Sequence, residues 1–481
     1  MNKAIRNYSF NLLYEFFLLI IPIAVTPYVA RVLKESGSGQ YSYAFSINNY
    51  FVLFASLGFS IYAQRIIAAH QNDEHKQSVD FWEIFFARLI SSCIVLFIYT
   101  IIISLDLYDE KYRKLMLILA VNIFSVIFDI NYFFQGNEEF DKIIIRNIIV
   151  RSITIFCIFL FVKSKNDLYK YALIQSSGTL FSNLSMWLYM PKYLKKISIK
   201  ALNPFYHMKG ALILFIPAIA ISVYTSLDKI MIGVITKSDV ENGNYEYAEK
   251  ILRMILTIIT SLGTVMSPRN SNRFAEGDIK AVEKNVYYTL QFVFFLGVPL
   301  MFGIIAIADN FVPWYLGDGY NEVASLIKIL SPIIIIVGLS NVFGRQLLIP
   351  CKQENDYTIS VVFGAIINFA LNIILIKNYK SYGAAVATVI TEMIVTTAMF
   401  FFVRTKIHLK ILIFNSWKYW FSSIAMFAIC KLSLLRLPYG ILYTGITVMM
   451  GIVCYFIILF SLKDRFFYFL LSKFGFYSLT Q

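Results

Sequence analysis

Long apolar runs separated by short polar turns repeat along the whole chain. A membrane-crossing helix needs roughly 20 mainly apolar residues. The pattern offers about fourteen such stretches, at 9–32, 41–64, 82–105, 113–135, 143–163, 168–190, 209–235, 246–268, 284–307, 322–344, 357–376, 382–403, 414–433 and 438–462. The expected fold class is therefore all-α, a polytopic membrane protein. One figure occurs twice. An apolar run with Pro22, Pro27 and Arg31 gives way to a Ser- and Gly-rich turn, and Gly39-Gln40-Tyr41-Ser42-Tyr43-Ala44 starts the next run. Later, Ile216-Pro217 opens a run that Asp228-Lys229 interrupts, and Gly243-Asn244-Tyr245-Glu246-Tyr247-Ala248 leads onward. The shared order reads as an internal duplication. The copies lie six spans apart, so they enter the membrane in the same direction, as parallel repeats about an axis along the membrane normal do. Four segments follow: a six-helix lobe at 1–190, a basic linker at 191–208, a second six-helix lobe at 209–405, and an appended helix pair with a tail at 406–481.

Composition sharpens this picture. The chain is 58% hydrophobic and only 15% charged, against about 25% charged in soluble proteins. Its net charge of +14 sits in short loops between apolar runs, a distribution that suits anionic lipid rather than nucleic acid. Lys192, Lys195, Lys196, Lys200 and Lys209 follow the sixth span, Arg269, Arg273, Lys280 and Lys284 the eighth, and Arg404, Lys406 and Lys410 the twelfth. The loop from Asp309 to Tyr320 carries acids and no Lys or Arg. Both termini are thus expected in the cytoplasm, although Lys111, Arg113 and Lys114 depart from the trend. The five cysteines show no metal spacing, and no metal is expected. The first apolar run is too long for a cleavable signal and reads as the first span. No loop is long enough to fold alone, so recognition must occur within the helical bundle.

Charges inside hydrocarbon are costly and tend to face a wet cavity or a partner. Arg88, Arg146, Arg151 and Arg345 fall in the expected inner half, and Arg31, Lys229 and Arg253 in the outer half. Together they would offer positive charge at both ends of a crossing path, and the guanidinium fork suits phosphate. Arg31 and Arg345 are also near enough to span ends to snorkel, Glu83 reads as interfacial, and Asp228 with Lys229 also reads as a local ion pair. Arg146 and Arg151, five apart, diverge by about 140° on a regular helix. Glu15, Asp129, Asp228 and Glu392 are candidates for ion coupling. Pro22 and Pro217, on the first helices of the two lobes, are candidate hinges.

The stretches Pro27-Tyr28-Val29-Ala30-Arg31-Val32-Leu33 with Gly39-Gln40-Tyr41-Ser42, Asp129-Ile130-Asn131-Tyr132-Phe133-Phe134-Gln135-Gly136, and Asn368 and Asn372 followed by Tyr382-Gly383-Ala384-Ala385-Val386-Ala387-Thr388 and Glu392 resemble the oligosaccharide flippases of the MATE/MOP exporter superfamily. The likeness runs over spans one to twelve. Lys34 stands where that family usually has glycine, and Lys377 to Lys380 replaces a proline-containing turn, departures that bear on loop geometry. The resemblance implies a non-enzymatic transporter of the bacterial plasma membrane. Its substrate would be an undecaprenyl-diphosphate-linked repeat unit of O-antigen or capsule, moved by alternating access. No cofactor is expected beyond H+ or Na+ coupling. Membrane lipids and polysaccharide polymerase machinery are the expected partners, nucleic acid is not, and the expected state is a monomer. Two alternatives stand beside this: a cation-coupled multidrug exporter of the same superfamily, and a membrane polysaccharide polymerase or ligase. The latter lacks a large external loop, a GxxxxGK[ST] loop and an Asp-x-Asp motif.

Overall fold

The computed structural model describes residues 3–105, 107–195, 197–198, 202–404, 416–434, 438 and 440–473, with backbone alone at 3–20, 216–218, 220–221 and 223–225. Every regular element among these residues is helical. The α-helices are α1 (Lys3–Ser56), α2 (Phe59–Ala69), α3 (Glu74–Ser104), α4 (Glu110–Ile127), α5 (Asn131–Gly136), α6 (Phe140–Phe161), α7 (Leu168–Met186), α8 (Met208–Thr236), α9 (Asp239–Ala275), α10 (Ile279–Leu316), α11 (Asn321–Leu330), α12 (Ile333–Phe343), α13 (Glu354–Val403), α14 (Trp417–Leu434), α15 (Ile441–Ser461) and α16 (Arg465–Lys473). Nine segments among the described residues are long and apolar enough to cross a membrane. Two of these, 21–69 and 354–403, each overlap two of the expected spans. α7, α8 and α14 lie on three more.

The doubled helices turn on lysines. α1 leaves helical geometry at Lys34 (φ 60°, ψ 175°) and α13 at Lys380 (φ 52°, ψ −131°). The first departure from the family pattern is thus a Lys in backbone space that glycine occupies most readily. The expected turn over Ser and Gly is corrected, because Glu35–Gln40 is helical and Lys34 alone breaks the run. The hairpin within α13 is tight: a Cβ on Gly383 would lie 2.2 Å from the Leu375 carbonyl oxygen.

Contacts group the chain into two compact units, Met1–Gly243 and Asn244–Gln481. That boundary falls inside α9, beyond the basic linker, because α8 packs on α1 and α2. In the first unit α4 packs against α1, α3 and α7, and α6 against α7 and α1. In the second, α10 carries α14 and α15 on one side and meets α11 and α12, which rest on α13. The appended pair is tied to α10 by Trp314 Nε1, which donates to Thr444 Oγ1 at 2.9 Å, and by Tyr455 OH, which donates to the Phe295 carbonyl at 2.7 Å.

Among the described residues, the first unit has two apolar cores. One gathers Leu33, Ala44, Ile47, Ala55, Tyr99, Leu119, Val126, Ile158 and Ala172. The other gathers Phe59, Phe81, Ile84, Ala87, Ile130, Phe133, Ile143, Met186 and Ala211. On α1–α2, α3, α4–α5, α6 and α7 alike, the switch from one core to the other falls at polar residues or at a helix break. The α6–α7 turn is locked by Asp167, which accepts from the backbone N–H groups of Lys163 and Ser164 at 3.0 and 2.9 Å and pairs with Lys170 at 2.7 Å. The Lys170 ammonium, followed by the Lys163 N–H, holds this carboxyl well below the usual carboxylate range.

Candidate functional site

Between the two cores of the first unit lies a polar layer built on two helix breaks. α1 gives way to α2 at Leu57 (φ 43°) and Gly58 (φ 74°), and α4 gives way to α5 around Asp129. Breaks free backbone carbonyls, which inside a membrane must be re-satisfied by neighbouring side chains. α3 serves both. Ser91 Oγ donates to the Ala55 carbonyl at 2.7 Å. Arg88 donates through Nη1 to the Asp129 carbonyl, and its Nη2 lies 3.4 Å from the Asp129 carboxylate. α7 and the turn after it close the rest: Asn183 Nδ2 donates to Ser125 O and Trp187 Nε1 to Phe128 O, both at 3.0 Å. From α6, Arg146 donates to Asn131 Oδ1 at 2.5 Å and to Ser182 O and Oγ at 2.5 and 2.6 Å. Asn131 in turn donates Nδ2–H to Asp129 Oδ1 at 2.6 Å. Arg88 is 1% exposed and Arg146 6%. Two buried guanidinium groups thus converge on the break, Arg88 directly at the Asp129 carboxylate and Arg146 through Asn131.

The duplicated hexapeptides have a second role. A Cβ on Gly39 would lie 1.8 Å from the Asp239 carbonyl oxygen, and a Cβ on Gly243 would lie 2.0 Å from that of Glu35. Glu35 and Gly39 correspond to Asp239 and Gly243 in the two copies, so the contact is reciprocal, as at a two-fold axis. Glycine here permits backbone against backbone, the small-xxx-small geometry of membrane helix pairs. The Asp239 carboxylate, beside this crossing, takes Lys111 Nζ at 2.6 Å, Gln40 Nε2 at 3.0 Å and the Tyr112 hydroxyl. Next to it is a cavity of about 610 Å³ lined by Tyr43, Tyr50, Tyr108, Asp109, Lys111 and Lys237 among others. Burial pushes the Tyr108 phenol above its usual range.

Comparison with known proteins decides the family. The description "Polysaccharide biosynthesis protein" matches residues 4–274, more than half of the chain. The chain belongs to this family. A second description, "MatE", matches residues 214–376. The "Putative O-antigen transporter" of Escherichia coli strain K12 is 24% identical over 390 residues, covering 80% of this chain and 93% of the relative. Among solved structures, the lipid II flippase MurJ in an inward closed conformation superposes with a TM-score of 0.76 at 16% identity, over 94% of this chain and 98% of that one. An inward-facing multidrug resistance MATE family transporter gives 0.61 at 13% identity, over 81% and 98%. At such identities the likeness concerns the fold. This polysaccharide biosynthesis family member is a multi-pass membrane transporter and not an enzyme.

The family member's charged residues sort unevenly. Arg88, Arg146 and Asp129 converge on the polar layer, whereas Arg151, on the same helix as Arg146, is exposed, as their spacing predicts. Asp129, a candidate for ion coupling, is engaged by Arg88 and Asn131. Arg31 is exposed at the end of its span, which suits snorkelling. Arg345 is exposed too, in a π-helical turn at Gly344–Leu348, and its carbonyl accepts from Ser267 Oγ at 2.8 Å. Arg253 pairs with Glu249 one turn back on α9, an i,i+4 match. Asp228 is buried and Lys229 half-buried on α8, where the Lys229 carbonyl accepts from Asn242 Nδ2 at 2.9 Å. Glu392 is half-buried on α13. Pro22 lies within α1. The side chains of Glu15 and Pro217 lie outside the described residues. Missed in the sequence were Ser91, Asn131 and Ser182, which carry no charge and so give no signal in an apolar run.

Proposed function

We propose that the protein is a flippase that carries undecaprenyl-diphosphate-linked polysaccharide repeat units across the bacterial plasma membrane by alternating access, with both termini in the cytoplasm. Family membership and the name of the Escherichia coli relative support the substrate class. The observation that carries the reading is the polar layer at the helix break, where buried Arg88 reaches the Asp129 carboxylate and buried Arg146 reaches it through Asn131. Discontinuous helices near the bilayer midplane are where transporters of several folds hold their substrates. The prenyl tail stays in lipid while the head enters, and the guanidinium groups offset desolvation of the diphosphate. Exposed Arg31, Arg151 and Arg345 extend the cationic path. Rocking about Pro22 and Pro217 exposes the head on the far side. A proton or sodium gradient, taken up at acids such as Asp228 and Glu392, resets the cycle. The protein works as a monomer and hands its product to polysaccharide polymerase machinery.

Headgroup translocation in vesicles loaded with a lipid-linked oligosaccharide tests this. Arg88→Gln and Arg146→Gln should each slow translocation at least about tenfold, the worth of about 1.4 kcal/mol. Arg253→Ala, whose charge Glu249 already balances, should change it little. Unchanged rates in folded Arg88 and Arg146 variants would refute the cationic reading. The "MatE" match favours one competitor, a cation-coupled multidrug exporter. Drug-stimulated efflux, with surface polysaccharide intact after deletion, would establish it instead.

A further inference from the structure

Where the basic linker ends, two segments bring a histidine and two carboxylates together. Asp80 and Glu83 stand about one turn apart on α3, and His207 immediately precedes α8. Their exposures are 5%, 7% and 1%. His207 Nε2 lies 3.2 Å from Glu83 Oε2 and 3.5 Å from Asp80 Oδ1, and the three atoms fall within 4.8 Å of one another. Nε2 nevertheless makes no hydrogen bond, because neither carboxylate sits near enough to the ring's N–H axis. An imidazolium held as a plain ion pair would aim its proton at one of them.

Every other polar atom of the three side chains is engaged. Tyr62 OH lies 3.0 Å from His207 Nδ1. His70 Nδ1 lies 2.5 Å from Asp80 Oδ2. The Asn203 N–H donates to Glu83 Oε1 at 2.8 Å. These are the outer contacts that orient metal ligands, fixing a tautomer and aiming one carboxylate oxygen inward. In the tautomer that gives Nδ1–H to Tyr62, the Nε2 lone pair faces two anionic oxygens, an arrangement that repels itself without a cation. The two distances from His207 Nε2 also fit. Bonds of about 2.0–2.2 Å around a tetrahedral ion put its ligand atoms about 3.3–3.6 Å apart.

We propose that Asp80, Glu83 and His207 bind one divalent transition-metal ion of the zinc class, with a fourth position left for water. The sequence reading expects no metal and treats Glu83 as interfacial. Only the fold brings His207 to the acid pair. The ion ties the linker, through Asn203 and His207, to α2 and α3.

The test uses full-length, tag-free protein stripped with a chelator. Zinc titrated against a chromophoric chelator should bind at one equivalent per chain. His207→Gln and Glu83→Gln should weaken it by about 100-fold or more, and Tyr62→Phe, which keeps all three ligands, by about tenfold. Cobalt in place of zinc should show the visible bands of a nitrogen- and oxygen-ligated ion, and magnesium should not compete. Absence of stoichiometric zinc, or zinc binding unchanged in folded His207→Gln, overturns the proposal. If His207→Gln does not fold, Tyr62→Phe and the cobalt spectrum decide, and unaltered affinity with Tyr62→Phe together with no cobalt bands counts against it.

Discussion

Replacing Gly39 with alanine isolates the reciprocal helix crossing. The new methyl carbon would lie 1.8 Å from the Asp239 carbonyl oxygen and 2.8 Å from the Gly243 nitrogen. A relaxed C···O contact is about 3.3–3.6 Å, so the helices must separate by about 1.5 Å. Overpacking of this kind costs about 1–3 kcal/mol. Separation also stretches the Lys111 and Gln40 contacts to Asp239, now 2.6 and 3.0 Å. Helix propensity alone predicts the opposite sign, a gain of about 0.5–1 kcal/mol for alanine over glycine. Gly37→Ala supplies the control, since its methyl would meet only Leu33 Cβ at 3.4 Å. The assay is thermal unfolding of purified protein. Gly39→Ala and Gly243→Ala should each lower the midpoint, and Gly37→Ala should leave it unchanged or raise it. Once one methyl has parted the helices the second costs little, so the double variant should fall short of additivity by about 1 kcal/mol or more. A neutral Gly39→Ala, or strict additivity, would refute the crossing.

Three further substitutions probe local strain and satisfaction. Lys34→Gly should raise the thermal midpoint by an amount equivalent to about 1 kcal/mol, because a non-glycine residue at φ 60°, ψ 175° stores about 1–3 kcal/mol; a lower midpoint would contradict the turn. Ser91→Ala strands the Ala55 carbonyl and should cost about 1–3 kcal/mol, whereas Ser92→Ala should be nearly silent, since Ser92 Oγ has no hydrogen-bond partner. Asp167→Asn should lower stability by the same margin at pH 8 and pH 5. Its folded-state carboxyl is depressed below the ordinary 3.8, so its contribution is full above that value and is lost only as pH falls through the depressed one. A margin that shrinks between pH 8 and pH 5 would show that Lys170 and the turn N–H groups do not hold it.

Much of the helix pattern was legible because each crossing segment must be apolar over about 20 residues. The breaks inside those segments were not. Leu57-Gly58 sits in an uninterrupted apolar run, and glycine alone does not announce a break among membrane helices. The repeated hexapeptide was visible, but its purpose was misjudged: Gly39 serves a close approach, and the turn falls to Lys34, where composition suggests helix. Charge inside an apolar run picked out the buried Arg88 and Arg146, but it picked out the exposed Arg31, Arg151 and Arg345 equally. Which acids balance these charges was not legible, except for Arg253, whose Glu249 partner follows from i,i+4 spacing alone. The pairing of Arg88 with Asp129 needed α3 to lie against α4.

That pairing makes charge and conformation a single problem in the polar layer. Arg88 is almost wholly buried, so an anionic headgroup reaches its guanidinium only if the break around Asp129 opens or the carboxylate yields. Asp129→Asn separates these effects, since the amide keeps the shape and removes one negative charge from a layer that holds two guanidinium groups. A buried cation without its counter-charge costs several kcal/mol, less here because the Asp129 side chain is 27% exposed and solvent screens part of the pair. The variant should therefore be less stable than the native protein, and pyrophosphate should restore more of its thermal midpoint than it adds to the native one. An anion that stabilises both proteins equally binds somewhere other than these two arginines.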